Sequence, residues 1–165
     1  MVMDATERFP FADETIEFLY TEHMIEHISQ ADGAFMLREC YRVMRKGGVI
    51  RVTTPNLAAI AGLCGDNLSP VQREYLAWFC KTFITEPCQS QAAATTINAF
   101  FRLWGHQFIY DEVTLTGALR VAGFHSISRV RLRESAHPDL RNLENTERYP
   151  DGLLEFESVA LEAHK

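Results

Sequence analysis

Apolar and polar positions along the chain divide it into an opening strand–helix–strand unit, a helical middle and a mixed end. Residues 15–20 (TIEFLY) form a short run that is apolar on both faces, as a strand covered on both sides requires. Ser29-Gln30-Ala31-Asp32 supplies helix-start chemistry, and apolar Leu37, Cys40, Tyr41 and Met44 recur on one face of a helix over residues 34–45. Arg42, Arg45 and Lys46 suit the negative pole of that helix. Gly47-Gly48 is expected to close it as a left-handed cap. Residues 49–53 (VIRVT) then read as a second strand, ended by Thr54-Pro55-Asn56. A strand, a helix and a strand so closely spaced make a βαβ unit with parallel strands.

Residues 57–104 read as helices. Ser69-Pro70 opens one, with Tyr75, Leu76, Phe79 and Phe83 at helical spacing, and a second is expected over residues 89–101. Another helix opens at Tyr110-Asp111-Glu112 and ends at Gly123. Residues 127–133 alternate as a half-exposed strand, and residues 153–162 read as the last strand, with Glu155 and Glu157 on a solvated face. The polar stretch 134–152 between them reads as loop.

Composition narrows the picture. The chain has 165 residues, 47% hydrophobic, which suits one domain with a substantial core. The formal net charge of −6 disfavours phosphate backbones and anionic lipid, so neither nucleic acid nor a membrane is expected as a partner. No apolar run is long enough to span a bilayer and the first ten residues contain no signal core, so a cytoplasmic protein is expected. Cys40, Cys64, Cys80 and Cys88 show no ligand spacing and read as reduced, mostly buried residues.

Asp4-Ala5-Thr6, the turn at Phe9-Pro10-Phe11-Ala12-Asp13 and Glu22-His23-Met24-Ile25-Glu26-His27 follow one another in the opening segment. LRECYRVMRKGG at residues 37–48, Thr54-Pro55-Asn56, WGHQFIYDE at residues 104–112, Ala122-Gly123-Phe124 and Glu134-Ser135-Ala136-His137-Pro138 come after them. This order of motifs resembles that of class I, Rossmann-like S-adenosylmethionine-dependent methyltransferases, within a small bacterial group of predicted methyltransferases. The resemblance implies an α/β fold with a mostly parallel sheet, flanking helices and a helical insert at residues 57–104 that could form a substrate lid. The family's sheet order, 3-2-1-4-5-7-6, leaves strands 4, 5, 7 and 6 for this chain. The N-terminal glycine-rich cofactor motif is absent, and no Gly-x-Gly triplet occurs anywhere. The chain is therefore expected to be a truncated, partial version of the fold in a single domain. Thr15 to Tyr20 would then be an open sheet edge available for a homodimer.

The resemblance also implies S-adenosylmethionine as cofactor, with Asp4, Ala5 and Glu22 near it, and a small-molecule methyl acceptor. His23 and His27 are the candidate bases, because an imidazole titrates near neutrality, with Glu22 or Glu26 to orient them. His106, Tyr110 and Asn56 are candidates to face the acceptor. HMIEH at residues 23–27 also matches the two-histidine pattern of inverted zinc peptidases, which needs both histidines on one helix and a third ligand. Here it follows a strand directly, so no metal site is expected. The alternative to an enzyme is a non-catalytic remnant that dimerises or binds a protein through its sheet edge.

Overall fold

A computed structural model describes residues 3–84 and 93–165. Four strands, β1 (Ile16–Glu22), β2 (Met44–Pro55), β3 (His125–Val130) and β4 (Ser158–His164), form one sheet in the order β1-β2-β4-β3. β1 and β2 are parallel, and β4 runs antiparallel to both β2 and β3. Three strands thus share one direction and β4 opposes them. The helix joining the parallel pair is α1 (Gln30–Val43), capped by the Ser29 hydroxyl, which accepts from the Asp32 N–H. The other helices are α2 (Leu57–Ala61), α3 (Pro70–Phe83), α4 (Ala93–Arg102), α5 (Glu112–Ala122) and α6 (Leu153–Glu157). Residues 89–92 of the helix expected at 89–101 lie outside the described residues, as does Cys88. Of the other cysteines, Cys40 and Cys80 are buried and Cys64 is exposed. None of the described helices is long and apolar enough to cross a membrane.

Strand alternation assigns the two faces. Ile50 and Val52 of β2 join Val159, Leu161 and Ala163 of β4 in the main core under α1 and α5. The intervening Arg51 and Thr53 point to the other face, where Arg51 stands directly across from Glu162. A second core, built by Ile60, Leu63, Tyr75, Leu76, Phe79, Phe100 and Leu153, holds α2, α3, α4 and α6 together beside the sheet. The ends follow the expected chemistry where a cap decides them. Ser69 and Gln72 complete a capping box at α3, and Asp111 caps α5, which Gly123 closes at φ +112°.

Three expectations are corrected. Gly47-Gly48 does not cap α1, which ends at Val43 and passes directly into β2 through an extended Met44. Ile16 pairs with Met44 but Phe18 with Val49, so the chain around the two glycines bulges out of the parallel pair. A Cβ on Gly48 would lie 2.8 Å from the Glu17 carbonyl oxygen and 3.0 Å from that of Arg45. Both obstacles are backbone, so Gly48→Ala is expected to cost about 1–3 kcal/mol in chemical denaturation.

Residues 153–157 form helix α6, not the first half of a strand. Adjacent Leu153 and Leu154 would point to opposite faces of a strand. A helix turn instead places Leu153 and Glu157 on one side, toward α3. Finally, β3 ends at Val130 instead of continuing to residue 133. The Arg51 guanidinium binds the carbonyls of Arg131 and Glu134 at 2.9 and 2.8 Å and draws that segment out of the sheet.

Candidate functional site

The carboxyl ends of parallel strands are where open α/β sheets accept ligands, because loops diverge there and leave a crevice. At that end of β1 and β2 lies a cleft of about 510 Å³. Its floor comes from Glu22, His23, Glu26 and His27 after β1 and Pro55 at the end of β2. Phe83, Phe100, Trp104 and His106 form one wall, and Asn145, Arg148 and Tyr149 contribute another.

β1 ends at Glu22, and His23 takes a left-handed φ of +44° that turns the chain sharply. Residues Ile25–His27 then form a single 3₁₀ turn, so His23 and His27 do not share an α-helical face. Glu26 is fully buried at the centre of this turn. Its Oε2 accepts from the Thr54 hydroxyl at 2.9 Å, whereas its Oε1 is buried with no hydrogen-bond partner. His23 Nδ1 and His27 Nε2 each stand 3.7 Å from that Oε1. Burial pushes the Glu26 carboxyl up to about 7, against the opposing hydrogen bonds it accepts. Burial, helped by the neighbouring His106 and His27, lowers His23 to about 4, so its ring is neutral at neutral pH. His23 Nε2 lies 3.0 Å from the Ser158 hydroxyl.

His106 arrives from the loop after α4. Backbone N–H groups of Gln107 and Phe108 donate to the Glu26 carbonyl at 2.7 and 3.2 Å, and the Gln107 amide donates to the His27 carbonyl. These bonds dock the loop so that the His27 and His106 rings meet edge to face, centroids 4.9 Å apart. His106 Nδ1 is 2.7 Å from the Phe100 carbonyl oxygen. A carbonyl only accepts, so this nitrogen carries the proton and Nε2 keeps its lone pair. Burial lowers the His106 pKa despite that bond. One ligand atom from each of Glu26, His27 and His106 lies within 4.8 Å of the others, so these three could hold a metal ion.

Of the residues singled out in the sequence, the cleft brings together Glu22, His23, His27 and His106. Glu22 Oε1 accepts from the Asn145 N–H at 3.1 Å, which ties the far wall to β1. Asp4 is exposed, and its carboxylate accepts from the Thr6 N–H and hydroxyl at 2.8 and 2.7 Å, both of which lower its pKa. Ala5 packs against the main core. Tyr110 is 1% exposed within that core, and a Cβ on Gly33 would lie 2.6 Å from its hydroxyl, so it does not face the cleft. Asn56 caps α2 through its side-chain oxygen, which accepts from the Ala58 N–H at 3.1 Å.

Glu157 was missed because its segment reads as a solvated strand. It is instead buried, accepting from the hydroxyls of Tyr75 at 2.5 Å and Tyr149 at 2.9 Å. Burial pushes it up to about 7 against those two bonds. Tyr149 also escaped notice, since nothing in the polar stretch around it marks a cleft wall. The aromatics of residues 57–104 serve two roles. Tyr75, Phe79 and Phe100 are core, with Phe100 bordering the cleft from below, whereas Phe83 and Trp104 line it more openly.

Residues 1–52 match the family model described as a methyltransferase domain. No curated protein matches the chain. Among solved structures, a SAM-dependent methyltransferase from Archaeoglobus fulgidus aligns with a TM-score of 0.54 and 14% identity, covering 100% of this chain and 66% of that one. A protein from Bordetella parapertussis described as a possible exported protein aligns at 0.56 and 12%, covering 99% and 42%. A SAM-dependent methyltransferase from Thermotoga maritima, described as a possible histamine N-methyltransferase, aligns at 0.50 and 21%, covering 98% and 61%. The chain spans less than two-thirds of the length of each of these structures.

Proposed function

From the premise that this chain has the class I, Rossmann-like methyltransferase fold, we propose that it forms the acceptor side of an S-adenosylmethionine-dependent methyltransferase. The methyl acceptor is a small molecule seated in the cleft. The observation that carries this reading is the placement of His23, Glu26, His27 and His106 at the carboxyl ends of two parallel strands, facing an aromatic wall. Methyl transfer is an in-line displacement, so a protein accelerates it chiefly by alignment and, where the acceptor carries a proton, by removing it. His27 is the more open of the two candidate bases, with its side chain 35% exposed against 23% for His23. His27 therefore accepts the acceptor's proton, Glu26 faces the resulting imidazolium, and Phe83 and Trp104 hold the apolar part of the acceptor.

The described residues do not build the donor's own cradle. No glycine-rich turn borders the cleft among them, and the Asp4 carboxylate is already engaged by Thr6. Asp4, Ala5 and Glu22 are thus candidates for donor contact whose test is binding. Isothermal titration with S-adenosylmethionine, with light scattering on the same sample, tests the reading. Micromolar binding that weakens in Glu22→Gln supports it. No binding up to millimolar donor overturns methyl transfer by this chain alone.

A second reading, a non-catalytic module that pairs through its sheet edge, is favoured by one observation: among the described strands β1 bonds only to β2. A row of unpaired backbone groups invites a second copy. A monomer by light scattering at high concentration rules that out.

A further inference from the structure

We propose that Glu26, His27 and His106 form a binding site for a divalent first-row transition-metal ion, with Zn²⁺ as the expected occupant. The three residues come from two distant segments, and their ligand atoms converge within 4.8 Å. Glu26 contributes an independent sign of a missing ligand. Its Oε1 is buried and accepts no hydrogen bond, a state that ordinarily costs folding free energy unless something fills it. A cation supplies that missing partner.

The supporting shell is already in place. Metal-binding imidazoles usually donate their other ring N–H to a carbonyl or carboxylate, which fixes the tautomer and aims the free nitrogen. His106 does this through Nδ1 to the Phe100 carbonyl at 2.7 Å. The second carboxylate oxygen of Glu26 is held by Thr54 in the same manner. Ligand atoms around an ion at ~2.1 Å stand about 3–3.5 Å apart, so the 3.7 Å between Glu26 Oε1 and His27 Nε2 needs little adjustment. Two imidazoles and one carboxylate match the preferences of zinc, iron and nickel better than those of magnesium or calcium.

The site deepens the acceptor-side reading and shares its cleft. An ion held there would polarise a hydroxyl bound at an open position; with the ion bound, His27 would serve as ligand instead of base, and the hydroxyl's proton would pass to solvent. Metal binding itself, however, is measured without donor or acceptor, so its failure and that of methyl transfer are separable.

Titration of the chain with Zn²⁺ followed by calorimetry, and with Co²⁺ followed by visible absorption, gives the test. One ion is expected to bind per chain, with the absorption bands of nitrogen- and oxygen-ligated cobalt. Glu26→Gln and His106→Gln should each weaken Zn²⁺ binding at least ~10-fold. His137→Asn should leave it unchanged, since His137 packs against Phe18 and His164, outside the three-ligand cluster. Circular dichroism establishes which variants keep the fold, and Glu26→Gln, being isosteric, decides if His106→Gln unfolds. No saturable binding overturns the proposal, as does binding that survives in every folded variant of the pair.

Discussion

Replacing Glu144 by alanine should destabilise the protein by about 3–5 kcal/mol, the usual cost of removing one member of a buried, hydrogen-bonded ion-pair network. Arg51 and Glu144 are both fully buried as side chains and meet at 2.6 Å. The same guanidinium reaches Glu162 at 2.8 Å and two backbone carbonyls, while the other oxygen of Glu144 accepts from the Arg133 N–H at 2.6 Å. Removing Glu144 therefore leaves Arg51 with Glu162 as its one remaining carboxylate, strips the buried Thr53 hydroxyl and the Arg133 N–H of their acceptor, and loosens the strap that Arg51 holds against the sheet. Substituting Arg51, Glu144 and Glu162 together by apolar residues of similar volume should cost less than Glu144→Ala, because no charge is then left buried. Urea denaturation of the two variants measures the difference, and a triple variant less stable than the single one would refute the account. The strap leads directly into Asn145, Arg148 and Tyr149, so loosening it should also disturb the cleft wall.

The second large effect is on the pH dependence of stability. Glu157 is pushed up to about 7 in the folded protein, chiefly by burial, from an ordinary value of 4.5. The folded state therefore binds the proton more tightly than the unfolded chain does. Its contribution to stability is fully present below pH 4.5 and is lost as pH rises through 7. At 1.36 kcal/mol per unit the swing is roughly 3 kcal/mol. Glu26 acts in the same direction. His23, lowered to about 4, acts in the opposite one: its contribution is present above pH 6.5 and lost as pH falls through 4. The difference between wild type and Glu157→Gln isolates the single carboxyl. Expected is a variant that gains stability relative to wild type as pH rises from 4.5 to 7, measured by denaturant midpoints. Parallel curves would show that Glu157 does not titrate in this range.

Legibility followed the range of the interactions. Ser29, Ser69, Asp111 and Gly123 act on backbone within a few residues of themselves, so the ends they set were readable directly. The βαβ unit was readable because its apolar periodicity is local as well. Gly47-Gly48 misled because a left-handed glycine serves a bulge as readily as a helix cap, and the choice lies with Glu17 on the neighbouring strand. Glu157 misled because an acid between apolar residues looks solvated until Tyr75 and Tyr149 arrive from elsewhere in the chain. Within the candidate site, His23 and His27 were visible as a pair, while Tyr110 and Asn56 proved to be a core residue and a helix cap.

By itself, the sequence determined the class of the fold, the two parallel strands with their crossover helix, and the short segment after β1 where imidazoles and carboxylates concentrate. Only the tertiary structure decided that Glu26 would be buried with one oxygen unpartnered and that His106 would meet His27 across the cleft. It also decided that Arg51 would gather a distant loop onto the sheet. The reason is physical: capping and periodicity are properties of neighbouring residues. Burial, orphaned polar atoms and converging ligands depend on which remote segments share a volume, and packing alone settles that.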